Sequence, residues 1–453
     1  MTEKLRKTLR DSKAARWTVL VIVSFAMFFG YYVADVMAPL KGALQDTFDW
    51  TAAEYGIFNM SYGFLNVVFF MMIIGGMILD KLGIRITGIG ACVLMIIGAG
   101  IKYYAVSRGF SDDLIFGMRT QIFIASVGFA VFGVGLGIAG VALIKITVRW
   151  FKGYELALAM AIQLAISRLA TTLVMSAVIP IKNHFGGDLS APVLLGLIGL
   201  CIGLVVYLIF CVMDIKLSAS GVSEEEEQEE PFRLSDVRFV VKNKGFWLIT
   251  FLCLLYYSAL FPFLKYAVSL MEHKYMATSQ LAGNVVAMLP FVTMLLTPLF
   301  GGFYDKKGKG ATIMLIGAAL LMVVHLLFAA PFLNVWWFGA FLMIVLGVSF
   351  SLVPAAMWPA VPKIIPENLL GTAFALMFWV QGIGLTLVPA LIGRVLDSAC
   401  CMTIAADGST QYDYTIPMLI FACFGILALV FAYWLKKEDK KKGYGLELPN
   451  MKK

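Results

Sequence analysis

Apolar stretches long enough to cross a membrane alternate with short polar loops along nearly the whole chain. A helix needs about 20 mainly apolar residues to cross the hydrocarbon core of a bilayer, and twelve stretches reach that length. The pattern therefore predicts an all-α membrane protein with 12 transmembrane helices. The predicted spans are 17–40, 54–79, 84–106, 121–148, 155–180, 191–213, 245–271, 279–303, 311–331, 333–358, 369–394 and 416–435.

The composition agrees with a membrane protein and argues against a soluble one. Of the 453 residues, 60% are hydrophobic and 14% are charged, whereas soluble domains are about 45–50% apolar and about 25% charged. The lipid bilayer is therefore the expected partner of most of the surface. The net charge of +8 does not indicate a nucleic-acid partner, because the basic residues stand at the ends of apolar runs rather than on a soluble face.

Basic residues collect at both termini and in alternate loops, which predicts the orientation. Loops on the cytoplasmic side of a membrane carry an excess of Lys and Arg, and an even number of spans puts both termini on one side. We therefore expect both termini in the cytoplasm. The basic loop residues on that side are Lys81, Arg85, Arg149, Lys152, Lys242, Lys244, Lys306, Lys307 and Lys309.

The longest polar stretch, 218–244, separates the sixth span from the seventh and contains a run of glutamates. Its end, "PFRLSDVRFVVKN", predicts an amphipathic helix on the inner leaflet. Cutting the chain here leaves six spans on each side, which predicts two pseudo-symmetric six-helix bundles. The expected parts are a cytoplasmic N-terminus at 1–16, bundles at 17–213 and 245–435, an acidic cytoplasmic linker at 214–244 and a basic cytoplasmic tail at 436–453.

Two loops with nearly the same sequence follow the second and the eighth span. "GGMILDKLGIR" occupies 75–85 and "GGFYDKKGKG" occupies 301–310. Two related six-span halves are typical of transporters whose substrate site lies at mid-membrane between the halves. Aligning the loops pairs Gly76 with Gly301, Asp80 with Asp305, Lys81 with Lys306, and Gly83 with Gly308.

The first loop resembles the signature G-x-x-x-D-[RK]-x-G-x-[RK] of the major facilitator superfamily, which ends here at Arg85. The second copy departs only at its last position, where Gly310 replaces a base. The resemblance implies a secondary transporter that alternates between outward-open and inward-open states, with these loops as its gating motif. In that motif we expect Asp80 to accept hydrogen bonds from a helix N-terminus of the other half and Arg85 to hold the same carboxylate.

Other segments, including "SYGFLNVVFF", "YYSALFPFLKYAVSL" and "SFSLVPAAMWP", look like the branch of that family containing a lysosomal dipeptide uniporter and its bacterial relatives. The resemblance implies that Arg168, within "SRLAT", holds the substrate carboxylate. It also implies an acid in the fourth span that takes the substrate's amino group. Gly137 stands at about that place, so this chain lacks the expected partner for an ammonium.

Charged residues inside the predicted spans are the first candidates for substrate binding, because a charge at mid-membrane costs about 2.5–3.5 kcal/mol or more. Arg168 lies near mid-depth of the fifth span, where a guanidinium can grip a carboxylate through two parallel hydrogen bonds. Asp35 could take a substrate ammonium, pair with a lysine or carry a proton. Lys145 and Lys265 either contact the substrate or extend toward the membrane surface.

Uncharged polar and aromatic residues inside the spans complete the predicted substrate site. Gln381 lies about as deep in the eleventh span as Arg168 lies in the fifth, so pseudo-symmetry predicts that the two face each other. The remaining candidates for lining a central cavity are Tyr31, Tyr62, Asn66, Gln163, Tyr256, Asn284 and Trp358.

The leading interpretation is a transporter of a small carboxylate-bearing solute, either a dipeptide or an amino-acid-like molecule. A carrier of organic anions, mono- or dicarboxylates, is the alternative, and a receptor or scaffold with a transporter fold is the alternative from another class. An enzyme is not expected, since G-x-S-x-G, H-E-x-x-H and GxxxxGK[ST] are absent from the sequence. We expect no catalytic residue, metal or cofactor.

The sequence also bears on the energy coupling of transport, the oligomeric state and the membrane in which the protein lies. Proton symport and facilitated diffusion both stay open, because Asp35 is the one obvious acid inside a span away from the loop motifs. We expect a monomer in the cell inner (plasma) membrane, or in the lysosomal membrane if the protein is eukaryotic.

Overall fold

The computed structural model describes residues 9–110, 113–151, 154–219, 234–366, 369–404 and 410–449, and the side chain of Asp80 lies outside this description. After a 3-10 turn at Leu9–Asp11, fourteen α-helices account for most of the described chain. They are α1 (Lys13–Asp35), α2 (Lys41–Phe48), α3 (Ala52–Val68), α4 (Met71–Val106), α5 (Thr120–Phe151), α6 (Leu156–His184), α7 (Ser190–Ala219), α8 (Leu234–Val241), α9 (Lys244–Tyr275), α10 (Ser279–Lys307), α11 (Gly310–Ala329), α12 (Trp336–Ile364), α13 (Leu370–Ala399) and α14 (Thr415–Lys442).

Within the described residues, eleven helices are long and apolar enough to cross a membrane, or twelve when a bent pair is counted as one span. The bent pair is Ala52–Val68 with Met71–Leu79, at an angle of 57°. The prediction of an all-α membrane protein is therefore confirmed. The span predicted over 54–79 corresponds to this bent pair; the chain bends at Phe69 and Phe70, where Phe70 has φ 52°.

Several elements differ from the sequence-based expectation. Helix α7 continues through Ala219, six residues into the predicted linker, while residues 220–233 of that linker lie outside the description. The predicted amphipathic helix near the end of the linker corresponds to α8. Helix α2 was not predicted, nor were two short hairpins: β1 (Leu114–Ile115) with β2 (Met118–Arg119), and β3 (Cys401–Ile404) with β4 (Thr410–Tyr412).

The two related loops share an unusual backbone conformation at the same aligned position. Gly83 interrupts α4 with φ 73° and ψ 172°, and Gly308 ends α10 with φ 72°. An L-amino acid with a side chain rarely adopts such angles, whereas glycine does so at little steric cost. The alignment of Gly83 with Gly308 thus reflects a shared structural requirement as well as a sequence repeat.

Two helix pairs join the first half of the chain (α1–α7) to the second half (α9–α14). Helix α3 packs against α13, and α6 packs against α10. A Cβ at Gly56 of α3 would lie 2.6 Å from the carbonyl oxygen of Pro389 in α13. Small residues let helix backbones approach closely in membranes, where dispersion contacts hold helices together.

We call the end of the bundle at which α1 begins and α14 ends the termini face, and the other end the far face. At the termini face, the segment after α14 lies along the second related loop. The backbone N–H of Lys309 donates to Glu447 O at 2.9 Å, and that of Gly310 donates to Leu446 O at 2.9 Å. Glu447 Oε1 also accepts from the backbone N–H of Thr312 at 2.9 Å.

Replacing Gly83 with alanine is expected to lower the free energy of unfolding by about 1–3 kcal/mol, because a side chain there must adopt a strained backbone conformation. The apparent melting midpoint of the purified protein measures this change. Gly90→Ala, in the same helix, is the matched control, since no atom lies within 4 Å of its added Cβ. Equal midpoints for the two variants would contradict the expectation.

Candidate functional site

Arg168 lies near the middle of α6, and its guanidinium meets two aromatic rings of the second half. Its Cζ lies 4.7 Å from the centroid of Phe350 on α12 and 5.4 Å from that of Phe261 on α9. The side chain is half-buried. Within the described part of the chain, no carboxylate lies in ion-pairing distance of this guanidinium. The rings stabilise the cation but accept no conventional hydrogen bond, so its N–H groups have no hydrogen-bond partner among the described residues.

Asp35 ends helix α1 and binds side chains from two other helices. Its Oδ1 lies 2.6 Å from Lys265 Nζ of α9, and its Oδ2 accepts from Thr171 Oγ1 of α6 at 2.9 Å. Lys265 Nζ also donates to the carbonyl oxygen of Ala34 at 2.8 Å. Of the three possibilities for Asp35, the geometry therefore matches pairing with a lysine, and this pair joins the two halves of the chain.

A second lysine, Lys102 of α4, donates to another backbone carbonyl in the last turn of α1. Its Nζ lies 2.6 Å from Val33 O and 4.6 Å from the ring centroid of Phe129, and its side chain is fully buried. The last carbonyls of a helix have no partner within the helix. Two ammonium groups thus satisfy the C-terminus of α1, where cations are also favoured by the helix dipole. We call Asp35, Lys102, Thr171 and Lys265 the Asp35 cluster.

At the far face, a carboxylate of the second half binds the N-terminus of a helix of the first half. Asp397, near the end of α13, accepts from the backbone N–H of Ala52 at 3.0 Å and of Ala53 at 2.6 Å. Its Oδ1 also accepts from the Tyr412 hydroxyl at 3.0 Å. Negative charge at a helix N-terminus is stabilising, so this contact holds α3 to α13.

Lys41, the first residue of α2, lies beside that contact and is only 1% exposed. Its Nζ donates to Gln45 Oε1 at 2.8 Å and to Ser269 Oγ of α9 at 3.3 Å. Burial lowers the pKa of Lys41 to about 8, although the carboxylates of Glu272, Asp397 and Asp46 oppose the shift. Lys41 therefore loses its proton more readily than an ordinary lysine.

The other predicted substrate-site residues are spread over several environments. Tyr256 is fully buried with its hydroxyl 2.8 Å from Ser349 Oγ, whereas its neighbour Tyr257 accepts from Trp358 Nε1 at 3.1 Å and packs on Phe261. Asn66 donates its Nδ2 to Gly133 O at 3.0 Å, which leaves its buried Oδ1 without a hydrogen bond.

Gln163 and Gln381 are both buried, and Gln163 Nε2 has no hydrogen-bond partner. The ring contacts of Arg168 are with α9 and α12 rather than with the helix of Gln381. Asn284 is exposed near the far face and accepts from Gln280 Nε2 at 3.3 Å. The remaining candidates, all half-buried, are Tyr31, Tyr62 and Lys145.

Arg85 of the first related loop binds an acid that the sequence did not single out. Arg85 Nε donates to Asp214 Oδ2 of α7 at 2.7 Å. Asp214 is fully buried and also accepts from Arg149 Nε at 3.0 Å and Trp150 Nε1 at 3.2 Å. The side chain of Asp80 lies outside the described residues, so its expected contact with Arg85 stays a prediction. The end of α7 brings a second, buried carboxylate within reach of Arg85.

Two glycines of the related loops, Gly76 and Gly301, are not tightly packed in this conformation. A Cβ added at Gly76 or Gly301 would meet no atom within 4 Å, so close helix approach is not the role of these two glycines here. Lys81 and Lys306 are exposed, and Asp305 is half-buried. Among the described residues, no group of His, Cys, Asp or Glu side chains is arranged to hold a metal ion.

Comparison with known families identifies the family to which this chain belongs. The family model of the Major Facilitator Superfamily matches residues 20–389. The chain belongs to the Major Facilitator Superfamily. It is accordingly a multi-pass membrane transporter and not an enzyme.

Similar proteins within this superfamily include lysosomal dipeptide transporters. The lysosomal dipeptide transporter MFSD1 of Homo sapiens is 28% identical over 397 residues, which cover 85% of this chain and 81% of the relative. The protein of the same name from Danio rerio is 27% identical over 442 residues, covering 96% and 89%. The predicted resemblance to the branch with the lysosomal dipeptide transporter is thus confirmed.

Solved structures of the superfamily share the fold. A bacterial homolog of the human lysosomal transporter Spinster, inward-facing and unoccupied, superposes with a TM-score of 0.68 at 15% identity, covering 95% of this chain and 98% of that one. A mutant form of the nucleoside transporter NupG gives a TM-score of 0.67 at 15% identity, covering 92% and 99%.

Sequence reasoning missed several residues of these clusters. Lys102 offered a clear signal, because it is a charged residue within the apolar run "GAGIKYYAV". Asp397 and Lys41 stand near span ends, where charges are common, so the sequence carried no comparable signal for them. Asp214 was read as the start of the linker, although α7 carries it into the protein interior.

Lys265→Met is expected to lower the apparent free energy of unfolding by about 3 kcal/mol, because it leaves the Asp35 carboxylate buried without its cation. The double variant Asp35→Asn with Lys265→Met should lie closer to wild type, since neither charge then needs a partner. Melting midpoints of wild type and the two variants test the coupling. Lys13→Met is the matched control: Lys13 is exposed and 3.8 Å from Glu155, and such surface pairs contribute little.

Raising the pH from 7 to 9.5 is expected to stabilise the wild type more than Lys41→Met. The pKa of Lys41 in the closed far face, about 8, lies below its ordinary value. The cost of burying the charged form is therefore full below pH 8 and disappears as the pH rises toward 10.5, at up to about 1.4 kcal/mol per pH unit. Melting midpoints across this range measure the difference. Lys306→Met should behave as wild type, because Lys306 is exposed.

Proposed function

We propose that this protein transports a small carboxylate-bearing solute, best represented by a dipeptide, by alternating access around Arg168. The observation that carries the proposal is the half-buried Arg168 guanidinium, which faces Phe261 and Phe350 of the other half and has no carboxylate partner among the described residues. A charge this far inside a membrane is expensive. A substrate carboxylate would bind it through two parallel hydrogen bonds and compensate the charge.

The dipeptide assignment rests on the relatives, which are lysosomal dipeptide transporters. One observation favours the alternative, an organic anion without an ammonium. A Cβ at Gly137 would lie 3.6 Å from both amide atoms of Asn66, so a neutral amide occupies the neighbourhood of this position. Asp35, the predicted acid inside a span, already binds Lys265 and Thr171.

The two halves act in this proposal as six-helix bundles that rock about the interfaces α3–α13 and α6–α10. The excess of basic residues at the termini face supports a cytoplasmic location for that face and for both termini. The proposed bundles are 17–213 and 245–435, with the linker 214–244 and the basic tail 436–453 on the cytoplasmic side. Closure of the far face by Lys41, Asp35 and Asp397 then corresponds to an inward-facing state.

In this scheme the Asp35 cluster and Asp397 are the gate on the far face, and they must separate when the protein opens outward. Asp80 is the proposed gate residue at the cytoplasmic face. It would bind a helix N-terminus of the other half when that face closes. A ligand shifts such an equilibrium only if it binds one state better than the other, which a substrate bridging Arg168 and the second half would do.

Arg168→Ala is expected to reduce uptake of Ala-Ala into proteoliposomes by at least about tenfold, because the carboxylate loses its charge-assisted hydrogen bonds. Arg168→Lys should retain part of the uptake, since it keeps the charge but not the bidentate geometry. Arg394→Ala, at an exposed arginine of α13, is the matched control. A pH gradient imposed in the same assay distinguishes proton symport from facilitated diffusion.

Normal uptake by Arg168→Ala, or equal transport of Ala-Ala and its C-terminal amide by wild type, would contradict the proposed anchor. A dicarboxylate such as succinate, measured in parallel, tests the organic-anion alternative. Uptake of succinate without uptake of Ala-Ala would select it.

A further inference from the structure

A continuous row of aromatic rings leads from Arg168 toward the termini face. The rings belong to three helices of the second half, α9, α12 and α13, and successive centroids lie within contact distance. We call this row the aromatic wall; its members, in order from Arg168, are Phe350, Phe261, Tyr257, Trp358, Phe378 and Phe374.

The spacing along the wall is regular. Tyr257 stacks on Phe261 with centroids 5.5 Å apart and meets Trp358 edge-on at 6.3 Å. Trp358 stacks on Phe378 at 4.9 Å, so α12 and α13 meet here through their rings rather than through closely packed backbones. Phe261, Trp358 and Phe378 are only half-buried, which leaves ring surface for another apolar group.

The polar atoms of the wall already have each other as partners. Trp358 Nε1 donates to the Tyr257 hydroxyl oxygen at 3.1 Å, and the other four members have no polar side-chain atom. A charged substrate group lying on this surface would lose its hydration without gaining a partner. An apolar or aromatic group would instead gain by leaving water and by stacking on a ring.

The wall begins at the guanidinium itself, because Phe350 and Phe261 are the two rings that Arg168 contacts. A carboxylate held by Arg168 therefore has apolar surface directly beside it, on the side of the termini face. A substrate whose apolar group is attached close to its carboxylate matches both features at once.

We propose that the aromatic wall is a specificity surface, and that the preferred substrates carry an aromatic or large apolar group next to the carboxylate that Arg168 binds. The inference rests on the proposed function, since it takes Arg168 as the anchor. Two sources share this chemistry: a dipeptide with a C-terminal aromatic residue, and a free arylalkyl carboxylate.

The test compares binding of Ala-Phe, Ala-Ala and 3-phenylpropionate to the purified full-length protein by titration calorimetry. Wild type is expected to bind Ala-Phe about tenfold more tightly than Ala-Ala, which is the usual gain from burying part of an aromatic side chain. Trp358→Ala should abolish this preference, so that Ala-Phe binds no more tightly than Ala-Ala, whereas Trp358→Phe should keep most of it.

Trp337→Ala is the matched control, because Trp337 lies on the same helix but is 55% exposed. Trp358→Phe keeps the test valid if Trp358→Ala does not fold. Equal wild-type affinity for Ala-Phe and Ala-Ala overturns the proposal, as does an equal loss for both peptides in Trp358→Ala. Tight binding of 3-phenylpropionate alone, lost in Trp358→Ala, supports the wall and identifies the arylalkyl carboxylate as the source.

Ala-Phe amide separates a failure of the wall from a failure of the anchor. If wild type binds the amide as tightly as Ala-Phe, the carboxylate anchor at Arg168 fails, and the proposal built on it is overturned. If the amide does not bind but Ala-Phe and Ala-Ala bind equally, the anchor stands and the aromatic wall alone is overturned.

Discussion

The ion pair between Asp35 and Lys265 is the contact on which this conformation depends. Charges removed from water must find partners of opposite sign, because an unpaired charge in a poorly polarisable interior is costly. Here one carboxylate and two lysines meet at the C-terminus of α1, and one of the lysines comes from the other half of the chain. This pair holds the two halves together at the end of α1, where the last backbone carbonyls have no partner within the helix.

The other contacts at the far face also satisfy backbone N–H and C=O groups that have no partner at a helix end. Asp397 accepts from the free N–H groups of α3, while Lys102 and Lys265 donate to the free carbonyls of α1. These groups are polar, so water could take the place of either partner if the two helices separated. Water could not replace the contacts of an interface made only of apolar side chains.

The periodic features of the fold were accessible from sequence, but the features set by tertiary contacts were not. Span length predicted the long helices, and the repeated loop predicted that Gly83 and Gly308 play the same part. The break in the second span escaped prediction, because "NVVFF" contains neither Gly nor Pro at the bend. Two adjacent tyrosines show the same limit: a helix turns about 100° per residue, which directs Tyr257 toward Trp358 and Tyr256 into the core.

The segment after α14 makes the two related loops unequal. The backbone oxygens of Leu446 and Glu447 accept hydrogen bonds from the backbone N–H groups of Gly310 and Lys309. Lys363 Nζ also donates to Gly445 O at 3.1 Å and to Leu448 O at 2.9 Å. The second loop is thus covered by the chain's own tail. Among the described residues, the loop around Gly83 instead meets α7, where Arg85 binds Asp214, so two loops of similar sequence rest on different parts of the chain.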